Sequence, residues 1–364
     1  MKPAPATPEH LRLAEDASRE KNWKRWGPYL AERQWGTVRE DYSADSDAWK
    51  YFPFEQAQSR AYRWGEDGLL GVTDRECRLC FALALWNGRD PRLKERLFGL
   101  SGPEGNHGED VKEAYFYTAS TPTHSHMRAV YHYPQAEYPY ARLREESARR
   151  GRNDAEFELE DTGTFAENRY VEGAVEDAKA GPNDLLIEIT ARNCGPEAAT
   201  LHLLPTLWYR NTWSWGCKHE GCEVKPRLQA MADGQVRGDH ASLGRYFWAV
   251  DATDAGLLFT ENESNLQRLF GATNASPWVK DGINDHVVLG RADTINPKRV
   301  GTKVAAHQTV ALKPGQTHTL RLRLYAESET PRQVFGKTFA AVMLERRAEA
   351  EKFYVDVVHA VAKR

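Results

Sequence analysis

Along its second half the chain repeats one pattern, short apolar stretches separated by turn residues. FELED around 157, RYVEGAVE around 170, LLIEITARN from 185, TLHLLPTLW from 200, YFWAVD from 246, GLLFTE from 256 and THTLRLRLYA from 317 each predict a strand. In the last, Leu320, Leu322 and Leu324 alternate with Arg321 and Arg323, which places the leucines on a buried face and the arginines in water. Pro182-Asn183, Asn193-Cys194-Gly195, Asp254-Ala255-Gly256 and Lys313-Pro314-Gly315 mark turns between them. Strands do not alternate with helices, so antiparallel pairing is expected. The pattern predicts a mainly β chain, a large antiparallel β-sandwich with helical decoration.

Helical signals bracket the strands. Thr7-Pro8-Glu9 supplies an N-cap, a first-turn proline and an early acid, predicting a helix from Pro8 to about Lys24 that stops before Trp26-Gly27-Pro28. A second is expected from Tyr140 to Arg150, with Gly151 as its C-cap. Phe339, Val342, Met343, Ala350 and Phe353 share a helical face between Phe335 and about Val361. This last helix either packs back on the sheet or leads into a following helical domain. The expected organisation is a sandwich domain over residues 1–335 and a C-terminal helix over 336–364. Arg33–Pro53 and Arg60–Asp74 lack periodicity and predict irregular segments and short strands around Trp-Gly turns at 26, 35 and 64. Cys77 to Trp86 predicts a buried strand closed by an Asn87-Gly88 turn.

Composition narrows the function classes. A net charge of −3 over 364 residues offers no clustered positive field for nucleic acid or an anionic membrane. No apolar run is long enough to span a bilayer and the N-terminus has no secretory h-region, so a cytoplasmic location is expected. The Cys77-x-x-Cys80 pair suggests redox chemistry or half a zinc site. On a continuous strand, however, the two thiols would not share one tight face, and the pair is assigned to packing. Eleven tryptophans are more informative, because indoles suit both cores and sugar faces.

The densest polar chemistry lies between Leu97 and His132, where four glycines surround Glu104, Glu109, Asp110 and Glu113 and histidines 107, 124, 126 and 132. Such a stretch predicts a rigid polar loop at a ligand pocket or a domain interface. Four acids in one stretch offer candidates for paired acid–base chemistry. Acids clustered in a loop more often form hydrogen bonds and ion pairs, so no catalytic residue is assigned. His124-Ser-His126 with His107 and Glu109 has the composition of a metal site, but polar-loop histidines usually make satisfied hydrogen bonds, and neither a metal nor another cofactor is expected.

Four long stretches resemble the N-terminal region of the bacterial glucosidases of glycoside hydrolase family 63. They are RLAEDASREKNWKRWGPYLAERQWGTVREDYSADSDAWKYFP, SRAYRWGEDGLLGVTD, CFALALWNGRDPRLKERLFGLSGPEGNHGEDVKEAYFYTASTPTHSHM and LPTLWYRNTWSWG. The resemblance extends from about residue 11 to the last helix. It implies a β-sandwich packed on an (α/α)6 barrel, with α-glucosides hydrolysed by acids on that barrel, and the barrel is expected to be absent from this chain. The expectation is therefore an accessory domain that supports the sugar site and docks the barrel. The alternatives are a free-standing carbohydrate-binding module and an interaction scaffold. Expected partners are α-linked glucosides or oligosaccharides and a helical catalytic domain. Candidate substrate or interface residues are Trp35, Arg39, Glu40, Asp41, Trp64, Glu104, His107, Glu109, Asp110, His124, Trp213 and Trp215.

Overall fold

The computed structural model describes residues 7–36, 51–216, 218 and 221–361. Seventeen strands follow in chain order among them: β1 (Trp26–Tyr29), β2 (Leu69–Asp74), β3 (Leu79–Trp86), β4 (Gly99–Leu100), β5 (Asp110–Val111), β6 (Tyr115–Ser120), β7 (His126–Pro134), β8 (Tyr170–Gly181) and β9 (Asp184–Asn193), then β10 (Ala199–Tyr209), β11 (Arg227–Ala230), β12 (Val236–His240), β13 (Gly244–Val250), β14 (Gly256–Thr260), β15 (Val300–Gly301), β16 (Lys303–Leu312) and β17 (Thr317–Ala326). Six helices accompany them: α1 (Pro8–Ala17), α2 (Phe54–Ala57), α3 (Tyr140–Arg149), α4 (Leu266–Phe270), α5 (Gly282–Leu289) and α6 (Lys337–Val361).

The strands form a six-stranded sheet, β1-β2-β3-β10-β16-β14, and a nine-stranded sheet, β15-β11-β12-β13-β17-β9-β8-β7-β6; every strand pairing is antiparallel. Phe81, Leu83, Leu203 and Leu207 of the first sheet meet Tyr131, Val175, Ile187, Leu320, Leu322 and Leu324 of the second in one core. The chain is the expected antiparallel sandwich, and no helical barrel is present among the described residues.

Both outer faces are covered. Ile283 of α5 packs on Ala84, Leu204 and Ala305 of the six-stranded sheet. Phe339 and Met343 of α6 pack on Ala178 and Leu186 of the nine-stranded sheet. The last helix therefore lies back on its own sheet. Arg347 donates to both oxygens of Glu176, at 2.9 and 2.7 Å, and Arg346 Nε donates to the Lys179 carbonyl at 2.8 Å. Leu344, Val355 and Val358 of the same helix face solvent.

Several local expectations change. α1 ends at Ala17, and a separate 3₁₀ turn forms at Trp23–Arg25. The residue closing α3 is Arg150 in an extended conformation, so Gly151 is not a left-handed cap. FELED forms no strand; its aromatic Phe157 instead fills a second apolar cluster with Trp35, Phe54 and Phe98. Arg323 keeps to the face opposite the leucines yet is only 5 % exposed, because Asp184 on the neighbouring strand and the carbonyls of Gln333 and Val334 meet it there.

Candidate functional site

The polar loop is internally satisfied. Glu104 accepts from Ser101 N and Oγ, closing a turn at 2.9 and 2.8 Å. His107 is exposed, with Nε2 2.8 Å from the Asp154 carbonyl oxygen. Glu109 pairs with Arg33 at 3.2 Å, and its carboxylate crowds Gly36 so closely that a Cβ there would lie 2.4 Å from Oε1. Asp110 pairs with Lys112, whose ammonium also reaches Glu156 and Glu158. Asp110, Glu156 and Glu158 are the one metal-spaced group among the described residues, and Lys112 already occupies their charge.

At the centre of the loop Glu113 accepts from Lys94 Nζ, Phe98 N and Tyr131 OH, each at 2.7 Å. Lys94 and Glu113 are almost wholly buried, so the acid is a structural anchor. His124 occupies the left-handed region at φ +57° with its ring against Gly27. Burial, reinforced by Lys179, lowers its pKa to about 4. His126 instead bonds Glu176 at 2.8 Å, so the two histidines do not converge as a ligand pair.

The aromatic candidates separate. Trp35 is 1 % exposed and packs edge-on against Phe54 at 5.2 Å, leaving no indole face for a ligand. Trp213 is half-buried, its Nε1 donating to Glu263 at 2.8 Å. Arg39, Glu40 and Asp41 lie outside the described residues. Trp64 and Trp215, far apart in sequence, line one cleft of about 620 Å³ together with Arg63, Glu76, Arg78, Arg210, His240 and Ser242.

Local chemistry builds this cleft from both sheets. Asp74 shapes the β2–β3 turn, accepting from Glu76 N, Arg78 N and Leu79 N at 3.2, 2.7 and 2.8 Å. Buried Asn211 holds the short 3₁₀ turn that presents Trp215: Trp215 Nε1 donates to its carbonyl at 2.8 Å and Ser214 N to its Oδ1 at 3.1 Å. Arg210 ties the walls together, donating to the carbonyls of Cys77, Arg63 and Glu76 at 2.9, 3.0 and 3.4 Å. The Arg63 guanidinium lies 4.8 Å from the Trp64 ring and 5.7 Å from that of Trp215. Trp64 nevertheless remains 44 % exposed.

His240 supplies a neutral polar group. Burial first, then Arg78 and Arg210, lower its pKa to about 4. Its Nδ1 accepts from Ser242 N and Leu243 N, both at 3.2 Å, which assigns the ring proton to Nε2. The cleft thus combines aromatic faces with cationic, anionic and neutral hydrogen-bonding groups.

On the outer side of the six-stranded sheet, Glu66, Asp67, Glu95, Arg96, Lys280 and Lys303 surround a space of about 20 Å³. That admits about one water and no sugar. Arg96 pairs with Asp67 at 3.3 Å and Glu95 at 3.1 Å, and Lys303 pairs with Glu95 at 3.1 Å. Burial alone would raise the Glu95 pKa, but Arg96, Lys303 and Lys280 hold it at about 2. The cluster pins the segment after Trp64 to the sheet.

The sequence reading missed Arg63, Glu76, Arg78, Arg210 and His240 as cleft residues, although the arginines beside Trp64 and within LWYRNTW carried a local signal. It also misplaced Cys77. β3 begins only at Leu79, and Cys77 sits in the preceding turn at φ +54°, bringing its sulfur to 3.6 Å from that of Cys80.

No protein-family model matches the chain. It is 40% identical over 394 residues to the uncharacterized protein YMR196W of Saccharomyces cerevisiae, a match covering 96% of this chain and 36% of that protein. The chain thus spans about a third of the curated relative it matches. Similar solved structures include an Escherichia coli K12 protein provisionally named an aldose 1-epimerase, at 8% identity and a TM-score of 0.30, covering 69% of this chain and 84% of that one. Another is polysaccharide lyase BACCELL_00875, at 10% identity and a TM-score of 0.31, covering 74% of this chain and 27% of that one. At such TM-scores neither carries an argument about function.

Proposed function

We propose that the chain is the sugar-engaging β-sandwich of a larger glycoside-hydrolase-type protein, with the Trp64–Trp215 cleft as its carbohydrate-contacting face. The observation that carries this reading is the convergence of these two indoles with Arg63, Arg78 and His240 in one open cleft. Indole faces pack against the C–H faces of sugar rings, while guanidinium and imidazole N–H groups donate to hydroxyls. Its volume lies within the range of about 300–1,000 Å³ typical of small-ligand sites.

The finer reading is an accessory domain of a family 63-like α-glucosidase that docks an (α/α)6 barrel and does not hydrolyse alone. The loop acids support it by being engaged in structural contacts: Glu104 closes a turn, Asp110 pairs with Lys112, and Glu113 is a buried anchor. The longer relative is consistent with further chain carrying the chemistry. Hydrolysis of α-linked glucose disaccharides tests it, using the chain alone and mixed with a separately produced helical domain. Turnover only in the mixture supports the accessory role. Turnover by the chain alone, lost when Glu104, Glu109 and Asp110 are replaced, would overturn it.

A further inference from the structure

Cys77 and Cys80 are free thiols whose sulfurs stand 3.6 Å apart. A disulfide needs about 2.05 Å, so closure requires an approach of about 1.5 Å. Cys80 is the fixed partner. It lies on β3, wholly buried against Leu30, Ala82 and Trp208, with Thr73 Oγ1 3.4 Å from its sulfur. Cys77 is half-buried and belongs to the β2–β3 turn, whose geometry tolerates adjustment more readily than the middle of a sheet. An accessible attacking thiol beside a buried resolving thiol is the arrangement of a redox-sensing pair. Burial also raises the Cys80 thiol pKa.

The pair stands directly behind the cleft. Glu76 and Arg78, the immediate neighbours of Cys77, line it. The Cys77 carbonyl accepts from Arg210 Nε at 2.9 Å, and the same guanidinium holds the Arg63 carbonyl at 3.0 Å. Displacement of Cys77 therefore pulls on both walls.

We propose that Cys77 and Cys80 form a redox-active dithiol that closes to a disulfide on meeting a small oxidised disulfide such as oxidised glutathione, and that closure reshapes the Trp64–Trp215 cleft. The Cys77 thiolate attacks one sulfur of the small disulfide, forming a mixed disulfide and expelling one thiolate. Cys80 then loses its proton and attacks Cys77 Sγ, expelling the second thiolate. Two protein thiols are oxidised by two electrons, one small disulfide is reduced, and the released protons are available to the two leaving thiolates. The regulatory meaning rests on the cleft being the sugar site, whereas the dithiol and its mechanical coupling do not.

The test needs no sugar and uses the full chain. After incubation in oxidised or reduced glutathione, remaining thiols are alkylated and peptides mapped by mass spectrometry, while hydrogen exchange is followed over segments 60–66 and 210–216. The expected result is a bridged 77–80 peptide lighter by two hydrogen atoms, reversed by reduction and absent in C77S and C80A. Cys194, a free half-buried thiol, serves as the control that has no such partner. Exchange should change in both cleft segments on oxidation of the wild type and in neither segment of C77S. Full alkylation of Cys77 and Cys80 after oxidation would overturn the dithiol. A bridge with exchange changes confined to the 74–80 turn would overturn its coupling to the cleft.

Discussion

Arg323 grips Asp184 on the outer face of the nine-stranded sheet, buried beneath the approach to the last helix, through two parallel contacts, Nε to Oδ1 at 2.8 Å and Nη2 to Oδ2 at 2.7 Å. Its remaining Nη1 donates to the carbonyls of Gln333 and Val334, so one side chain joins two strands to the approach of the last helix. Arg321, two residues earlier, meets Glu188 at 3.0 Å on the exposed surface. Arg323→Ala should cost about 3–5 kcal/mol by stranding a buried carboxylate. Arg321→Ala should cost about 1 kcal/mol or less. Denaturant unfolding of both variants checks the contrast, and equal losses would refute it.

The loop acids separate in the same way. Glu113→Gln removes the charge opposite buried Lys94 and should destabilise the chain by about 3–5 kcal/mol. Asp110→Asn, at a partly exposed cluster, should cost about 1 kcal/mol or less. Melting temperatures measured at equal pH distinguish the two. A greater loss for Asp110→Asn would make the outer cluster, not Glu113, the anchor of the loop.

Asp177 gives the fold a pH dependence. Burial, then Glu176, raise its pKa from 3.8 to about 8, while Lys179 opposes the rise. The folded chain keeps a proton that the unfolded chain releases between those values, so this group's contribution to stability falls as pH rises through the window. Asp177→Asn, which mimics the protonated acid, should nearly match the wild type at about pH 4, close to the unfolded-state pKa, and exceed it increasingly up to about pH 9, by up to about 5 kcal/mol. Parallel stability–pH curves for the two proteins would refute the assignment.

Much of the architecture was legible in the sequence because strand periodicity survives wherever one face is buried. Leu320, Leu322 and Leu324 enter the core as their spacing requires. Arg323 was not legible, because its partner Asp184 lies on another strand and pattern alone assigns arginines to water. The Cys77–Cys80 approach was hidden by a boundary of two residues, since a cysteine in the turn and one on the strand point differently from two on one strand. Trp64 and Trp215 could be named from the sequence as candidates, but their meeting depends on the Asp74 turn, Asn211 and Arg210. Trp35, equally conspicuous in sequence, fills the second apolar cluster. Local composition cannot separate an indole needed for a core from one left for a ligand.

The most direct test of the sugar-contacting cleft is calorimetric titration of the chain with a panel of α-linked glucose oligosaccharides, repeated for Trp64→Ala, Trp215→Ala and the double variant. Binding by the wild type is expected, with about tenfold weakening in each single variant, a loss of about 1.4 kcal/mol, and no detectable binding in the double variant, melting temperatures being preserved. Absence of binding by the wild type, or undiminished binding by the double variant, would contradict a sugar-contacting cleft.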